Sequence, residues 1–301
     1  MKTIGYYPGC SLKSSSREYD ESFQAISKHI GLDLVEVPDW NCCGASSAHN
    51  MNKKLSLALP ARILALAEQA GLSEVVAPCA ACSNHLIVAR HEMLENAALM
   101  KEISEDIKMD YKGTAKVVNV IEALLPMIPE IKEKMKKTFN FKVACYYGCL
   151  LVRPQKIMKF DRYEDPDLME SIMRELGATT IDWSFKTECC GAAYSISKPD
   201  FVGKLSSKIV EDAVKRGAEA IIVACPLCHA NLDMRRNYIE KHAGKKYSIP
   251  VIYITQAIGM ALGIDNKKLG LQRHMVKVKL PKMDDYSQKS NEAEKVEECH
   301  A

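Results

Sequence analysis

The strongest constraint on this chain is an internal duplication marked by cysteine. Tyr6-Tyr7-Pro8-Gly9-Cys10-Ser11-Leu12 returns, one residue shorter, as Tyr146-Tyr147-Gly148-Cys149-Leu150-Leu151. Asn41-Cys42-Cys43-Gly44-Ala45 returns as Glu188-Cys189-Cys190-Gly191-Ala192. Glu74-Val75-Val76-Ala77-Pro78-Cys79-Ala80-Ala81-Cys82 returns as Ala220-Ile221-Ile222-Val223-Ala224-Cys225-Pro226-Leu227-Cys228. A fourth block, Val120-Ile121-Glu122-Ala123-Leu124, matches Ile254-Thr255-Gln256-Ala257-Ile258. The blocks keep their order. Two long copies describe a duplicated domain, because a solenoid stacks more and shorter repeats.

Each copy reads as α/β. In the first, a strand over 3–7 leads to Cys10, and a helix begins near Ser15, where Ser15 and Glu18 have capping-box spacing. Tyr19, Phe23, Ile26 and Ile30 follow at helical spacing and Gly31 stops the helix. A strand over 34–37 runs into Cys-Cys-Gly; a helix over 60–70 has Pro60 in its first turn and Gly71 as its stop. A buried strand over 75–77 precedes the CxxC, which opens a helix over 80–97, and 117–120 is a further strand. The second copy repeats this with strands at 143–147, 180–183 and 220–224. Its helices include one starting at Asp165-Pro166, carrying Leu168, Ile172 and Leu176 before Gly177, and one ending at Arg216. Strand–helix alternation predicts two tandem homologous α/β domains, 1–138 and 139–275, with small mainly parallel sheets related by a pseudo-twofold. The charged stretch 276–301 has no periodicity and is expected to be a flexible or partner-bound tail.

The chain has 47% hydrophobic and 26% charged residues, an ordinary globular balance. No run of about 18 apolar residues and no signal-peptide pattern occurs, so a cytoplasmic location without direct membrane insertion is expected. The net charge of +3 and the lack of a basic stripe give no case for nucleic acid. In a reducing cytoplasm, clustered cysteines read as metal ligands or reactive thiols rather than disulfides. No GxGxxG follows a strand and no P-loop is present, so electrons for any redox chemistry are expected from a partner.

Loops after the strands of a βαβ sheet gather on one edge. Cys10, Cys42, Cys43, Cys79 and Cys82 should therefore converge there, as should Cys149, Cys189, Cys190, Cys225 and Cys228. Four thiolates complete a zinc site or a cubane cluster. A fifth in each copy points to a larger or less regular iron–sulfur centre, or to a spare thiol. Gly44 and Gly191 would permit a tight turn beside the cluster. Cys145 lies in a strand and should pack in the sheet; Cys299 reads as a surface thiol. Tyr6, Tyr7, Tyr146 and Tyr147 alternate, so one of each pair should be core. His85 and His229 read as structural groups near the cysteines, and His49 is a candidate proton donor. Lys53, Lys54, Arg153 and Lys156 read as solvated surface, with attraction of an anionic substrate as the alternative.

The double set resembles the CCG cysteine-rich domain family. Gaps of 31 and 34 residues separate Cys10, the Cys-Cys-Gly and the CxxC in the first copy, and gaps of 39 and 33 do so in the second. Two such domains spanning about 1–265 are similar to the B subunits of heterodisulfide reductases. The resemblance implies two noncubane [4Fe-4S] clusters, held by the two five-cysteine sets above. It implies reduction of a small disulfide, of the coenzyme M–coenzyme B type used in methanogenesis or a related one, to two thiols between the clusters. Its partners would be a C-like iron–sulfur subunit with two cubane clusters and an A-like flavin-containing, electron-bifurcating subunit. One alternative is a CCG electron-transfer subunit of a dehydrogenase that passes electrons toward a quinone. Such proteins often carry a fused C-x2-C-x2-C-x3-C-P segment, not found here. The alternative of another class is a zinc-binding interaction module.

Overall fold

The computed structural model describes residues 2–45 and 48–286, with the backbone alone for His49. In the first copy β1 (Lys2–Tyr6), β2 (Leu32–Glu36), β3 (Glu74–Val76) and β4 (Lys116–Val118) form a sheet ordered β2-β1-β3-β4. All of its pairings are parallel. A short β5 (Lys137–Thr138) separates the copies. Then β6 (Lys142–Tyr146), β7 (Thr179–Thr180), β8 (Ala220–Val223) and β9 (Val251–Tyr253) form a second parallel sheet, ordered β7-β6-β8-β9. The two orders are the same, so the sequence repeat is a repeat of topology. Parallel strands covered by helices must be apolar on both faces. Accordingly β8 is buried at every position and β6 at all but Lys142.

In both sheets the first strand has the second strand on one side and the third on the other. The connections therefore leave in opposite directions, and a crevice opens at the carboxyl ends, between β1 and β3 and between β6 and β8. The first and last cysteine blocks of each copy follow these strands.

Several elements differ from expectation. The helix after Cys10 runs Arg17–Ile30, ends on Gly31 at φ 76°, and has no side-chain cap at Ser16. Glu18 is buried instead of closing a capping box. Pro60 lies inside the helix Lys53–Gln69, whose true cap is Asn52, accepting from the Lys54 and Leu55 amides. Proline inside a helix removes one i→i−4 bond, but Leu57, Ala61, Ile63 and Leu64 are buried around it and hold the helix by packing. The CxxC helix Ala80–Glu95 is continuous, whereas its counterpart is a short Pro226–His229 followed by a π turn, Ala230–Met234. The described part of the charged tail is not loose. Val278, Leu280 and Met283 pack on the core, and β10 (Asp284–Asp285) pairs antiparallel with β5. Cys299 lies outside the described residues.

The copies share one core. The helix Arg17–Ile30 of the first packs on the helix Ile254–Ala261 of the second. There the Tyr19 ring stacks on Tyr253 at 4.1 Å between centroids, and Ser22 Oγ meets Thr255 Oγ1 at 2.7 Å.

Candidate metal centres at the meeting of the two sheets

Cys10 sits in the one-turn helix Gly9–Lys13 directly after β1. Cys42 and Cys43 occupy the turn after β2, Cys79 is the N-cap of Ala80–Glu95, and Cys82 lies in that helix's first turn. The Cys43 and Cys82 sulfurs are 3.3 Å apart. In the second copy the Cys190 and Cys228 sulfurs are 3.8 Å apart, and Cys225 caps Pro226–His229. In each set the sulfurs grade from buried to open. Cys43, Cys79 and Cys82 are buried with Cys10 and Cys42 exposed; Cys190, Cys225 and Cys228 are buried with Cys189 exposed and Cys149 half-buried. The two sets meet: Ala80, between the two cysteines of the first CxxC, lines the second cysteine set, and the Tyr19 hydroxyl faces the carbonyls just before both CxxC turns, Pro78 at 3.4 Å and Ala224 at 3.2 Å.

Five close thiols cannot all ionise unaided, because each thiolate repels the next. Contact with Cys42 and Cys82 pulls the Cys43 pKa down against the cost of burial. The Cys149 thiol does the same for Cys189, with help from the Gly191 and Ala192 amides, bringing it to about 6 against the cost of burial. Their partners Cys42, Cys82 and Cys149 are pushed up by the same contacts and by desolvation, and Cys228 by Cys190, Cys225 and desolvation. A cationic metal centre would remove this conflict by ionising every ligand. The donor sets suit such a centre in number, chemistry and proximity. Amides already face the sulfurs, Gly44 N to Cys42 at 3.5 Å and Gly191 N to Cys189 at 3.3 Å.

The loops are braced by buried tyrosines. Tyr7 donates to the Asn41 carbonyl at 2.9 Å and Tyr146 to the Glu188 carbonyl at 2.7 Å, in each case the residue before Cys-Cys-Gly. Tyr6 reaches Asp20 and Tyr147 reaches Glu170 on the following helices. All four tyrosines are core, and they divide by hydroxyl target rather than by burial. The pair roles swap order because the second copy lacks one residue before its cysteine.

Other residues had no clear sequence signal. Gly9 and Gly148 have φ of +64° and +68°, and a Cβ on them would stand 3.1 Å from the Cys82 sulfur and 2.8 Å from the Cys228 sulfur. Only glycine lets the first cysteine's loop pass the CxxC thiol. The repeated Gly-Cys pair was the available signal. Lys186 is buried between Asp165 at 2.7 Å and Glu170 at 3.1 Å, and its carbonyl receives the Tyr147 and Gly148 amides. Asn84 of the first CxxC helix donates to the Leu150 and Arg153 carbonyls of the second copy. Asn231 donates to Cys190, at its carbonyl (3.0 Å) and its sulfur (3.6 Å).

His229 is buried, stacked on Tyr253 and facing His274 at 3.2 Å, so its role is structural. His85 is half-buried and lowers the Cys43 pKa. The His49 side chain lies outside the described residues. Cys145 is fully buried in β6, where its carbonyl accepts from Trp183. Lys53 and Lys54 are tied to Glu92 and to Glu102 and Asp106, which leaves little free charge for an anion. Arg153 and Lys156 are exposed.

Comparison with known proteins agrees with this layout. The CCG cysteine-rich domain family matches residues 4–87 and 143–233. The 8-methylmenaquinol:fumarate reductase membrane anchor subunit of Wolinella succinogenes is 34% identical over 92% of this chain and 98% of its own. The B subunit of the ferredoxin/F(420)H(2)-dependent CoB-CoM heterodisulfide reductase of Methanosarcina acetivorans is 29% identical over 92% of this chain and 94% of its own. Among solved structures, a hypothetical protein from Helicobacter pylori superposes with a TM-score of 0.72 at 14% identity, covering 92% of this chain and 52% of that one, which shows a shared fold. With both matched segments carrying a complete five-cysteine set on the same sheet topology, this chain belongs to the CCG cysteine-rich domain family, in the duplicated form found in the B subunits of heterodisulfide reductases.

Proposed function

We propose that this chain is the catalytic iron–sulfur subunit of a disulfide-reducing complex of the heterodisulfide reductase type. The carrying observation is the juxtaposition of two complete five-cysteine sets, with Ala80 of the first CxxC lining the second set and Tyr19 bridging the turns that carry both CxxC pairs. Each set would hold one noncubane [4Fe-4S] cluster. Such clusters, when bound, supply single electrons and iron sites with affinity for sulfur.

The chain's own residues do the rest. Tyr7, Tyr146 and the two glycines fix the cysteine loops, so each centre is presented through its open side, Cys10 and Cys42 in one copy and Cys149 and Cys189 in the other. Leu150, Leu227 and Ala192 line the second site beside its cysteines, keeping water from the sulfurs. Tyr19 sits between the CxxC turns and donates to both the Pro78 and Ala224 carbonyls, at 3.4 and 3.2 Å, which sets the spacing of the two centres. A disulfide between them takes up two electrons and two protons, its S–S bond breaks, and two thiols leave. The electrons would come from a C-like subunit with two cubane clusters, fed by an A-like flavin subunit, in the cytoplasm. Among the described residues no helix is long and apolar enough to cross a membrane.

A second reading is favoured by the 34% identity to the Wolinella subunit, above the 29% to the Methanosarcina one. There the chain would relay electrons between a quinone and a partner, without touching a disulfide. One experiment separates the readings. The anaerobically purified protein should carry about eight irons and eight sulfides and reduce candidate disulfides with reduced viologen as donor. Cys43→Ala and Cys190→Ala should each lose one centre and all disulfide reduction. Retained reduction in Cys190→Ala would make the second centre a relay, and electron exchange with menaquinone alone would support the second reading. Two zincs without sulfide would mean an interaction module.

A further inference from the structure

The duplication provides an internal control for surface chemistry. The helices Lys53–Gln69 and Pro199–Lys215 follow the Cys-Cys-Gly turns of the two copies. On the first, the cations are consumed locally: Lys53 pairs with Glu92, Lys54 with Glu102 and Asp106, and Arg62 with Asp39. On the second, the acids are consumed: Asp200 pairs with Lys241, Glu211 with Lys245 and Asp212 with Arg216. Lys198, Lys204 and Lys208 are exposed and carry no ion pair among the described residues. With Phe201 they recur at intervals of three, three and four, which places them on one helix face.

Around that face lies exposed apolar surface. Tyr194 is 43%, Ile196 89% and Phe201 44% accessible. Tyr194 and Phe201 meet edge to face at 5.4 Å, and the Lys198 ammonium lies 5.7 Å from the Tyr194 ring centre. Arg235 donates to the Ser195 carbonyl at 3.0 Å and adds another cation to the rim. The turn that carries Tyr194, Ala192–Tyr194, begins directly after the second Cys-Cys-Gly, whose Cys189 is itself exposed.

We propose that this face is the docking surface for an acidic, cluster-bearing electron-transfer protein, which hands its electrons to the second centre beside Cys189. An apolar centre with unpaired cations around it matches a partner that surrounds its own cluster with carboxylates, because opposite charge steers encounter and a dry centre shortens the transfer distance. At each encounter the partner is oxidised by one electron and the second centre reduced by one; two encounters supply one disulfide. The inference rests on the assignment of a cluster to the second cysteine set.

The test uses the anaerobically purified holoprotein and, as probe, a reduced acidic ferredoxin with two [4Fe-4S] clusters. Stopped-flow absorbance follows reduction of the chain at about 20 mM and about 300 mM salt, which span the range where surface charges go from felt to screened. Lys204→Glu combined with Lys208→Glu should slow the bimolecular rate at least tenfold at low salt and flatten its salt dependence. Ile196→Asp should slow it at both salts. The same charge change on the first copy, Lys101→Glu with Lys112→Glu, should leave the rate within about twofold. An unchanged rate in the Lys204/Lys208 variant, or equal losses in the two double variants, overturns the proposal. Disulfide turnover driven by viologen bypasses the docking face, so failure of the proposed function would show there and failure of docking only with ferredoxin.

Discussion

At Gly148 two demands coincide: a backbone at φ +68° and a sulfur 2.8 Å from where a side chain would begin. Alanine would pay about 1–2 kcal/mol for the left-handed conformation and more for displacing the Cys228 thiol. Gly148→Ala is therefore expected to lose the second centre, leaving about half the iron, with helix content unchanged. Iron per chain alongside far-UV circular dichroism checks this, and a full iron complement would refute it. The gathering of each cysteine set was legible because its members repeat in order after strands, and the Gly-Cys pair repeats with them. Why glycine stands there was not legible, since the obstructing thiol comes from a CxxC tens of residues away. Lys186 was invisible for a different reason. The first copy has no counterpart to its buried ion pairs, so the repeat gave no signal. Lys186→Met would leave Glu170 buried without its cation, with an expected cost of about 3–5 kcal/mol, measurable by denaturant unfolding.

Strands and helix ends were read well wherever local chemistry decides them: apolar β-branched runs, the stop at Gly31, the CxxC at the start of a helix. Helix starts were read less well, because Pro60 and Ser15 carry signals that packing overrides. The described start of the tail after residue 275 was misjudged, since the anchors there and just before it are contributed by distant elements. Asp233 accepts the Met275 and Val276 amides at 2.7 and 3.0 Å, while His274 fits between Gln256 and His229. Burial lowers the His274 pKa, and Asp233 only partly opposes that shift. A histidine held below its usual value of about 6.5 stays neutral in the folded state but protonates in the opened one. Its contribution is therefore intact above that value and is lost as pH falls below it. Opening free energies from hydrogen exchange at Met275 and Val276 should drop from pH 7.5 to pH 5.5. His274→Gln should weaken that pH dependence, and an unchanged slope would remove His274 as its cause.

At the scale of the whole molecule, the repeat predicts two similar units but says little about how strongly they depend on each other. The structure supplies that dependence through reciprocal contacts. The Cys10 turn packs against the second copy's CxxC helix, and Asn84 of the first copy's CxxC helix holds the loop after Cys149. Tyr19, fully buried, belongs to the first copy yet donates to a carbonyl in each. Its ring continues into the stack of Tyr253 and His229, so separating the copies would expose three aromatic rings and the Ser22–Thr255 hydrogen bond together. Neither copy then has a closed core of its own, and the chain should unfold as one cooperative unit. In anaerobic denaturant titration, loss of helix signal and loss of the cluster chromophore should share a single midpoint. Tyr19→Phe leaves both carbonyls without their donor, at a cost of about 1–3 kcal/mol, and should move that shared midpoint down without splitting it. A plateau at which half the helix signal and half the chromophore survive would show that the copies stand alone. The proposed catalytic pairing of the centres would then rest on loose association rather than on a fixed geometry.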